Sequence, residues 1–436
     1  LRANPKAARE RYVGYELHSV GPNRRITVHL STQEHDKAVA AAEAEKIARV
    51  YAAYIAEARF SLHIAAYDFR LAGAPHKLVT DALEERARAG VDVRIAYHQG
   101  RNQRTPEAFA YLGADPAPAM PSDFDANMRA IGVQTRGIED TAELTPPVVG
   151  EPIDPGSHLM HSKYIIRDGT TPAAAVLTGS ANFTNDAWSA QENNIIIFEQ
   201  APELARFYEN DFGEMWQSGQ IANSGRDDTG AVTVDGIDVR VAFSPGQGRQ
   251  IDADITHMIG SAQRRLLVAC MVISSGTVLG AIADRTHRVD EFAGIFDETQ
   301  MRQVLRNWTR WQSQGQQPGE TSAAPARARA RSATSQGKAD LFNAIAPLMH
   351  AKHSTPYTPT GIHDYMHDKL AVCDDTVVTG SYNFSTNATR NAENVVMISS
   401  PELAEIYATY VRALTRIYPD TGMGSDTHRG GRASTH

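Results

Sequence analysis

His161-Ser-Lys163-Tyr-Ile-Ile-Arg-Asp168 is followed by Thr178-Gly179-Ser180-Ala-Asn182-Phe183 and then by Glu192. The same order returns as His367-Asp-Lys369-Leu-Ala-Val-Cys-Asp374, Thr379-Gly380-Ser381-Tyr-Asn383-Phe384 and Glu393. In both copies the spacing is two residues from His to Lys, seven from His to Asp, two from Ser to Asn and twelve from Ser to Glu. Only the Asp-to-Gly connection differs in length, and a turn between strands tolerates that.

Around these motifs the chain alternates strands and helices in two passes. The first runs through RITVHL at 25–30, a helical pattern over 35–57, FSLHIAAYDF at 60–69, a helix near 76–89 and VDVRIAY at 91–97. The second runs through RVAFS at 240–244, a helix at 248–261, LLVACMVI at 266–273, FAGIF at 292–296 and a helix near 298–312. Each pass ends with a strand (193–199, 394–399) and a Pro-Glu-Leu-Ala helix start at Pro202 or Pro401, where proline suits a first turn. This βαβ order predicts an α/β fold with mostly parallel sheets, duplicated within the chain. The expected boundaries are an N-terminal lobe at 1–218, a linker at 219–236, a C-terminal lobe at 237–419 and a disordered tail at 420–436. Residues 100–157 are expected to form a long loop with one short helix near 123–131. Residues 313–338, low in complexity, are expected to be mobile.

The motifs explain themselves chemically. On a strand, residues i and i+2 share a face, so each imidazole lies beside an ammonium: His161 with Lys163, His367 with Lys369. The Gly-Ser-x-Asn turn brings a hydroxyl and an amide, from Ser180 and Asn182 or from Ser381 and Asn383. All these groups can donate to a phosphoryl oxygen without presenting negative charge to it. Two facing half-sites allow one neutral imidazole to attack phosphorus while the other, protonated, serves the leaving oxygen. Glu192 and Glu393 are the candidates to fix the histidine tautomers. The lysines offset charge that phosphoryl-transfer enzymes often give to magnesium, so no metal or other cofactor is expected.

Composition bounds the partners. The formal charge is -8 and the pI near 6.1, without the basic footprint of a dedicated non-specific nucleic-acid binder. No apolar run reaches the ~18 residues that cross a bilayer, so membrane contact is expected to be peripheral. The two cysteines, Cys270 and Cys373, lie in apolar runs and read as buried thiols. The chain opens at Leu1, so the native start is read as missing; the compartment stays open between cytoplasmic and secreted, for a soluble chain.

The paired motifs resemble the HxKxxxxD signature of the phospholipase D superfamily, and the GSxN turn with its downstream acid matches it too. The resemblance implies two similar α-β-α sandwich lobes forming a pseudo-dimer with one active site at their interface, so a monomer is expected. It implies a metal-independent phosphodiesterase working through a covalent phosphohistidine. The functional residues then fall on His161, Lys163, Ser180, Asn182, His367, Lys369, Ser381 and Asn383. Asp168 and Asp374 would support the fold. Family habit makes His161 the nucleophile and His367 the acid, and the reverse also occurs. A phospholipid at a membrane surface is the leading substrate, for hydrolysis or transfer to another alcohol; nucleic acid is the alternative. Substrate choice is expected in the loops 100–157 and 313–366.

Other histidines (His63, His98, His158, His350, His353, His363) lack the spacing of a zinc set. His158 and His363 precede the motif histidines closely enough to line the cleft. Tyr67 and Phe69 are expected to pack, and Arg327, Arg329 and Arg331 to be solvated.

Overall fold

The computed structural model describes residues 16–33, 36–100, 120–140, 158–226, 228–315, 323–358 and 360–419, with side chains left out over 310–333. Two eight-stranded sheets run through it. From edge to edge the first is Glu16–Val20, Ile26–Ser31, Asn193–Phe198, Ala175–Gly179, Lys163–Arg167, Ser61–Ala66, Asp92–His98 and Gln134–Ile138. The second is Gly230–Val234, Ile237–Ser244, Glu393–Ser399, Thr376–Gly380, Lys369–Cys373, Arg265–Cys270, Glu291–Asp297 and His350–Lys352. The two orders correspond place by place, as duplication requires.

The sheets are not mostly parallel. Only the last two pairings in each are parallel, and all the others are antiparallel. The motif strand and the Gly-Ser strand are joined by a short turn, which can only make a hairpin. A parallel neighbour needs a crossover, supplied here by the helices Gly73–Arg88 and Gly276–Arg285. The motif strands lie inside the sheets with all five residues buried, which their apolar runs dictate.

Helix Lys37–Ala56 starts at Asp36, whose carboxylate accepts from the Ala38 and Val39 amides. Its buried Ile47, Tyr51, Tyr54 and Ile55 recur at helical spacing and cover the first sheet's outer face. Helices Pro202–Ser218 and Pro401–Ile417 instead enter one apolar cluster drawn from both sheets. There Tyr208 of the first lobe meets Phe243 of the second edge-on, with ring centroids 5.0 Å apart. Burying a side chain of this size contributes about 1.5–3 kcal/mol, so the shared core binds the lobes into one folded unit.

Three stretches depart from expectation. Within 219–236, read as a linker, Gly230–Val234 pairs with Ile237–Ser244 as the second lobe's edge strand, the counterpart of Glu16–Val20. Of 313–338, read as mobile, 316–322 lie outside the described residues and the remainder is helical: Glu298–Gly315 and Ala323–Ile345 pack against each other. Alanine, arginine and glutamine make that stretch low in complexity but high in helix propensity. Phe342 and Ile345, with Met301, Val304 and Trp308, anchor the pair in the second lobe's core. Between 100 and 157 the helix Phe124–Ala130 stands where expected, followed by the unforeseen strand Gln134–Ile138. The rest of that segment, 101–119 and 141–157, and the tail 420–436 lie outside the described residues.

Candidate active site

Each motif histidine enters its strand on a backbone bond to the opposite lobe. The His161 amide donates to the Ala392 carbonyl at 2.8 Å, and the Ala392 amide to the Leu159 carbonyl at 2.8 Å. On the other side His367 N donates to Glu192 O at 3.1 Å, and Glu192 N to Tyr365 O at 3.4 Å. Two short bridges, Met160 with Ala392 and Glu192 with Met366, thereby hold the half-sites together. Both histidines are fully buried. His161 Nδ1 lies 2.7 Å from Glu393 Oε2, and Asn391 Nδ2 donates to Glu393 Oε1 at 3.0 Å. His367 Nδ1 lies 2.8 Å from Asn193 Oδ1. Each Nδ1 is thus engaged by the other lobe, and chemistry falls to Nε2.

Lys163 and Lys369 are buried beside their histidines, each Nζ donating to the histidine's own carbonyl at 2.6 Å. Asn182 and Asn383 are buried as well. Neither the amide nitrogen nor the amide oxygen of Asn383 has a hydrogen-bond partner among the described residues. A buried amide left so costs stability, which a phosphoryl oxygen accepting from it would offset.

Both serine hydroxyls are bonded to the strand that follows their turn. Ser180 Oγ accepts from Asn194 N at 3.0 Å and donates to Asn193 Oδ1 at 2.8 Å, and Ser381 Oγ accepts from Asn394 N at 3.0 Å. They brace the strand that carries the histidine partners. Glycine precedes each serine of necessity: Gly179 and Gly380 have φ of 144° and 141°, and a Cβ on either would stand 2.2 Å from the Asn194 or Asn394 carbonyl oxygen.

Asp168 and Asp374 lie at the far ends of the motif strands; seven extended residues span roughly 23 Å. Both adopt left-handed backbone, with φ of 53° and 52°. The Asp168 carboxylate accepts from the amides of Arg59, Phe60 and Ser61, and that of Asp374 from Gln263, Arg264 and Arg265. They tie the motif strand to the start of its neighbour.

Glu192 is not the counterpart of Glu393. Glu393 pairs with Ser244, and the residue that pairs with the equivalent Ser31 is Asn193. The serine amides agree: Ser381 N donates to Asn394 O and Ser180 N to Asn194 O. The first copy is one residue longer between its Gly-Ser turn and the next strand, so equal spacing to glutamate in the sequence misaligns the two. Displaced by one, Glu192 points away from His367. It receives Lys352 Nζ at 2.6 Å, the Tyr418 hydroxyl at 2.5 Å and the Gln33 amide at 3.1 Å.

Sequence reasoning also missed Asp368, next to His367. Burial pushes its carboxyl up to about 6, against the pull of bonds from Asn194 Nδ2 at 2.7 Å and the Tyr410 hydroxyl at 2.8 Å. Asp297, also pushed by burial to about 6, receives the Met366 amide at 3.0 Å and fixes the turn into His367. Asn194 and Asn394 mirror each other across the seam: Thr379 Oγ1 donates to Asn194 Oδ1 at 2.8 Å, and Asn394 Nδ2 to Thr178 Oγ1 at 2.7 Å. The readable signal was the asparagine that follows Glu393 and occurs twice after Glu192.

The remaining candidates divide. Tyr67 meets His161 edge-on at 4.8 Å with Lys163 Nζ 4.9 Å from its ring centre, so it belongs to the site, whereas Phe69 stacks on Phe183 in the core. His98 Nδ1 accepts from Met160 N at 3.3 Å, and His158 pairs with Asp140 at 3.0 Å. His363 is held by the Asp186 carboxylate at its amide, 3.0 Å, and stacks between Tyr357 and Tyr365. His63 and His353 pair with Glu209 and Glu298, and His350 with the Tyr418 carbonyl. Arg327, Arg329 and Arg331 lie where side chains are not described.

Two buried imidazoles with fixed Nδ1 partners, two buried ammonium groups and an amide with no partner among the described residues are groups of the kind that hold a tetrahedral anion. A family model described as cardiolipin synthase, phospholipase D-like domain, matches residues 51–216 and 255–415. No curated protein matches the chain. Among solved structures, phosphatidylserine synthase from Haemophilus influenzae Rd KW20 is similar in fold over 95% of this chain and 90% of its own, with a TM-score of 0.54 and 12% identity. Nuc from Salmonella typhimurium, a phospholipase D family member, covers 42% of this chain with 95% of its own at 22% identity and a TM-score of 0.25. With the model matching both repeats, including both His-Lys pairs, the chain belongs to the cardiolipin synthase, phospholipase D-like family.

Proposed function

We propose that the chain is a phospholipase D-type enzyme that cleaves a phospholipid diester through a covalent phosphohistidine and passes the phosphatidyl group to water or another alcohol. The observation that carries this reading is the crossed arrangement of the site: His161 with Glu393, and His367 with Asn193, each pair joining the two lobes. One imidazole Nε2 forms the N–P bond as the P–O bond to the headgroup breaks, and the other imidazole's proton goes to the departing oxygen. An acceptor alcohol or water then gives its proton back to that second ring and attacks phosphorus, and the N–P electron pair returns to the first. Lys163, Lys369 and Asn383 donate to the equatorial oxygens. The family description and the similarity in fold to a phosphatidylserine synthase support a lipid diester. Among the described residues no helix is long and apolar enough to cross a membrane, so the lipid would be met at a bilayer surface.

The test is a paired assay in EDTA: phosphatidylcholine vesicles with ethanol, and separately plasmid and single-stranded DNA. Phosphatidylethanol or phosphatidic acid is the expected product. Nicked or degraded DNA with no lipid product overturns the lipid reading in favour of a nuclease using the same residues. Turnover of neither overturns both.

A further inference from the structure

We propose that Arg70, held in place by Asp68, is an anion subsite beside the reacting phosphorus, and that it selects a lipid whose headgroup carries a second negative charge, a carboxylate or a phosphate. The inference rests on the lipid reading above and adds to it the chemistry of the headgroup.

The duplication isolates this pair. Ala66 pairs with Lys163 and Cys270 with Lys369, so the residues that follow correspond one by one. Phe69 and Ile273 then bridge to the equivalent phenylalanines, Phe183 and Phe384. Tyr67-Asp68-Phe69-Arg70 of the first lobe therefore stands where Met271-Val272-Ile273-Ser274 stands in the second. There the same backbone is built from uncharged residues, so the fold does not require the charges. Stability does not require them either. Burying a carboxylate to 4% exposure carries a desolvation cost that its ion pair only about offsets, and apolar residues of similar volume often serve as well. The charged pair is left with a task outside folding.

Its place gives the task. Strand Phe69–Arg70 lies parallel to Phe183–Thr184, the chain that leaves the site's Asn182. Alternation turns Phe69 into the core, stacked on Phe183, and leaves Asp68 and Arg70 on the opposite face. Tyr67, three residues before Arg70, meets His161 edge-on. The Asp68 carboxylate accepts from Arg70 Nε at 2.6 Å and from Nη2, a two-point hold that fixes the plane of the guanidinium. Among the described residues nothing is bonded to the third nitrogen, Nη1, and 23% of the side chain stays exposed. Burial raises the pKa of the Tyr357 hydroxyl; beyond that, Arg70 lowers it and Asp68 raises it, which puts this ring of the second lobe within reach of both charges. Arg70 thus faces the opposite lobe across the site with both Nη1 hydrogens still to be bonded.

A group that bonds Nη1 next to a phosphodiester holds best if it is negative. The diacylglycerol side of a lipid has no charge to offer, so the group comes from the headgroup. A carboxylate or phosphate accepts both hydrogens, whereas a headgroup whose only charge is an ammonium meets like charge.

Dibutanoyl lipids stay monomeric and so remove surface charge from the comparison; they test the subsite with the full chain. Phosphatidylserine against phosphatidylethanolamine reads a carboxylate, and phosphatidylglycerol phosphate against phosphatidylglycerol reads a phosphate, with phosphorus NMR following the phosphatidic acid formed. In at least one pair the charged member is expected to have a kcat/KM roughly ten- to a hundredfold higher, carried mainly by KM, as a hydrogen bond between charged groups would give. The pair with the larger ratio names the anion. Asp68→Val with Arg70→Ser installs the second lobe's residues; it is expected to keep the circular dichroism melt and to bring that ratio close to unity. Should it fail to fold, Arg70→Lys, which keeps the charge but not the two-point hold, is expected to lower the ratio without abolishing it. A ratio near unity in both pairs with the full chain overturns the subsite and leaves lipid cleavage standing, as does a ratio that neither variant lowers. Turnover of none of the four lipids overturns the lipid reading and the subsite with it.

Discussion

Lys352 and Glu192 form a 2.6 Å ion pair across the two lobes, with 2% and 0% of their side chains exposed. The Tyr418 hydroxyl and the Gln33 amide complete the carboxylate's hydrogen bonds, and the Ala190 and Tyr365 carbonyls lie 3.5 and 3.4 Å from the ammonium. Through these contacts the segment leading into His367 is tied to the segment leading into Asn193. Lys352→Met leaves Glu192 charged, buried and unpaired, which costs about 3–5 kcal/mol. A reduced midpoint in urea denaturation checks this, and Lys352→Met with Glu192→Leu together are expected to regain most of the loss.

Glu393→Gln keeps the shape behind His161 and removes the charge. The amide can present its nitrogen to Nδ1, which favours the wrong tautomer. A fall in kcat of roughly 10²- to 10⁴-fold is expected on phosphatidylcholine, with KM little changed. Glu192→Gln, one station away in the other lobe, is expected to act on stability far more than on kcat of the folded protein. Equal loss of kcat in both variants would return Glu192 to the site.

Asp374 acts on the fold. Burial pushes its carboxyl up, but the amides of Gln263, Arg265 and Arg264 together outweigh that and hold it below its ordinary value of 3.8. A depressed carboxyl contributes stability that is present above its unfolded value and is lost as pH falls through the folded one. Asp374→Ala is expected to cost about 1–3 kcal/mol at pH 7 and to lose part of the acid sensitivity below about pH 4, with kcat of the folded protein retained. Asp374→Gly, which accepts the left-handed backbone freely, is expected to be the milder of the two. Thermal melts from pH 3 to 7 read both effects.

Much of this was legible in the chain because strand periodicity and short motifs are local. The spacing of His161 and Lys163 places both on one face, and Gly179 before Ser180 marks the close approach of a neighbouring strand. What the sequence could not supply was register. Glu192 and Glu393 sit at equal distances from their serines, yet a loop one residue longer in the first copy shifts which residue meets the opposite histidine. On a strand a slip of one also reverses the face. Sheet direction was lost for a related reason: the helices near 76–89 and 276–285 each serve one parallel pairing, while the hairpins around Asp168 and Asp374 each make an antiparallel one. Lys352 lay beyond reach altogether, since its partner is 160 residues away and no motif marks it.

The most direct measurement of the central claim is a crystal structure of the chain soaked with orthovanadate, which adopts the five-coordinate geometry of phosphoryl transfer. Vanadium bonded to His161 Nε2, with His367 Nε2 hydrogen-bonded to the opposite apical oxygen and Lys163 and Lys369 on the equatorial ones, is the expected result. Vanadate held by one lobe alone, or the two Nε2 atoms facing different cavities, would contradict a reaction shared between the two histidines.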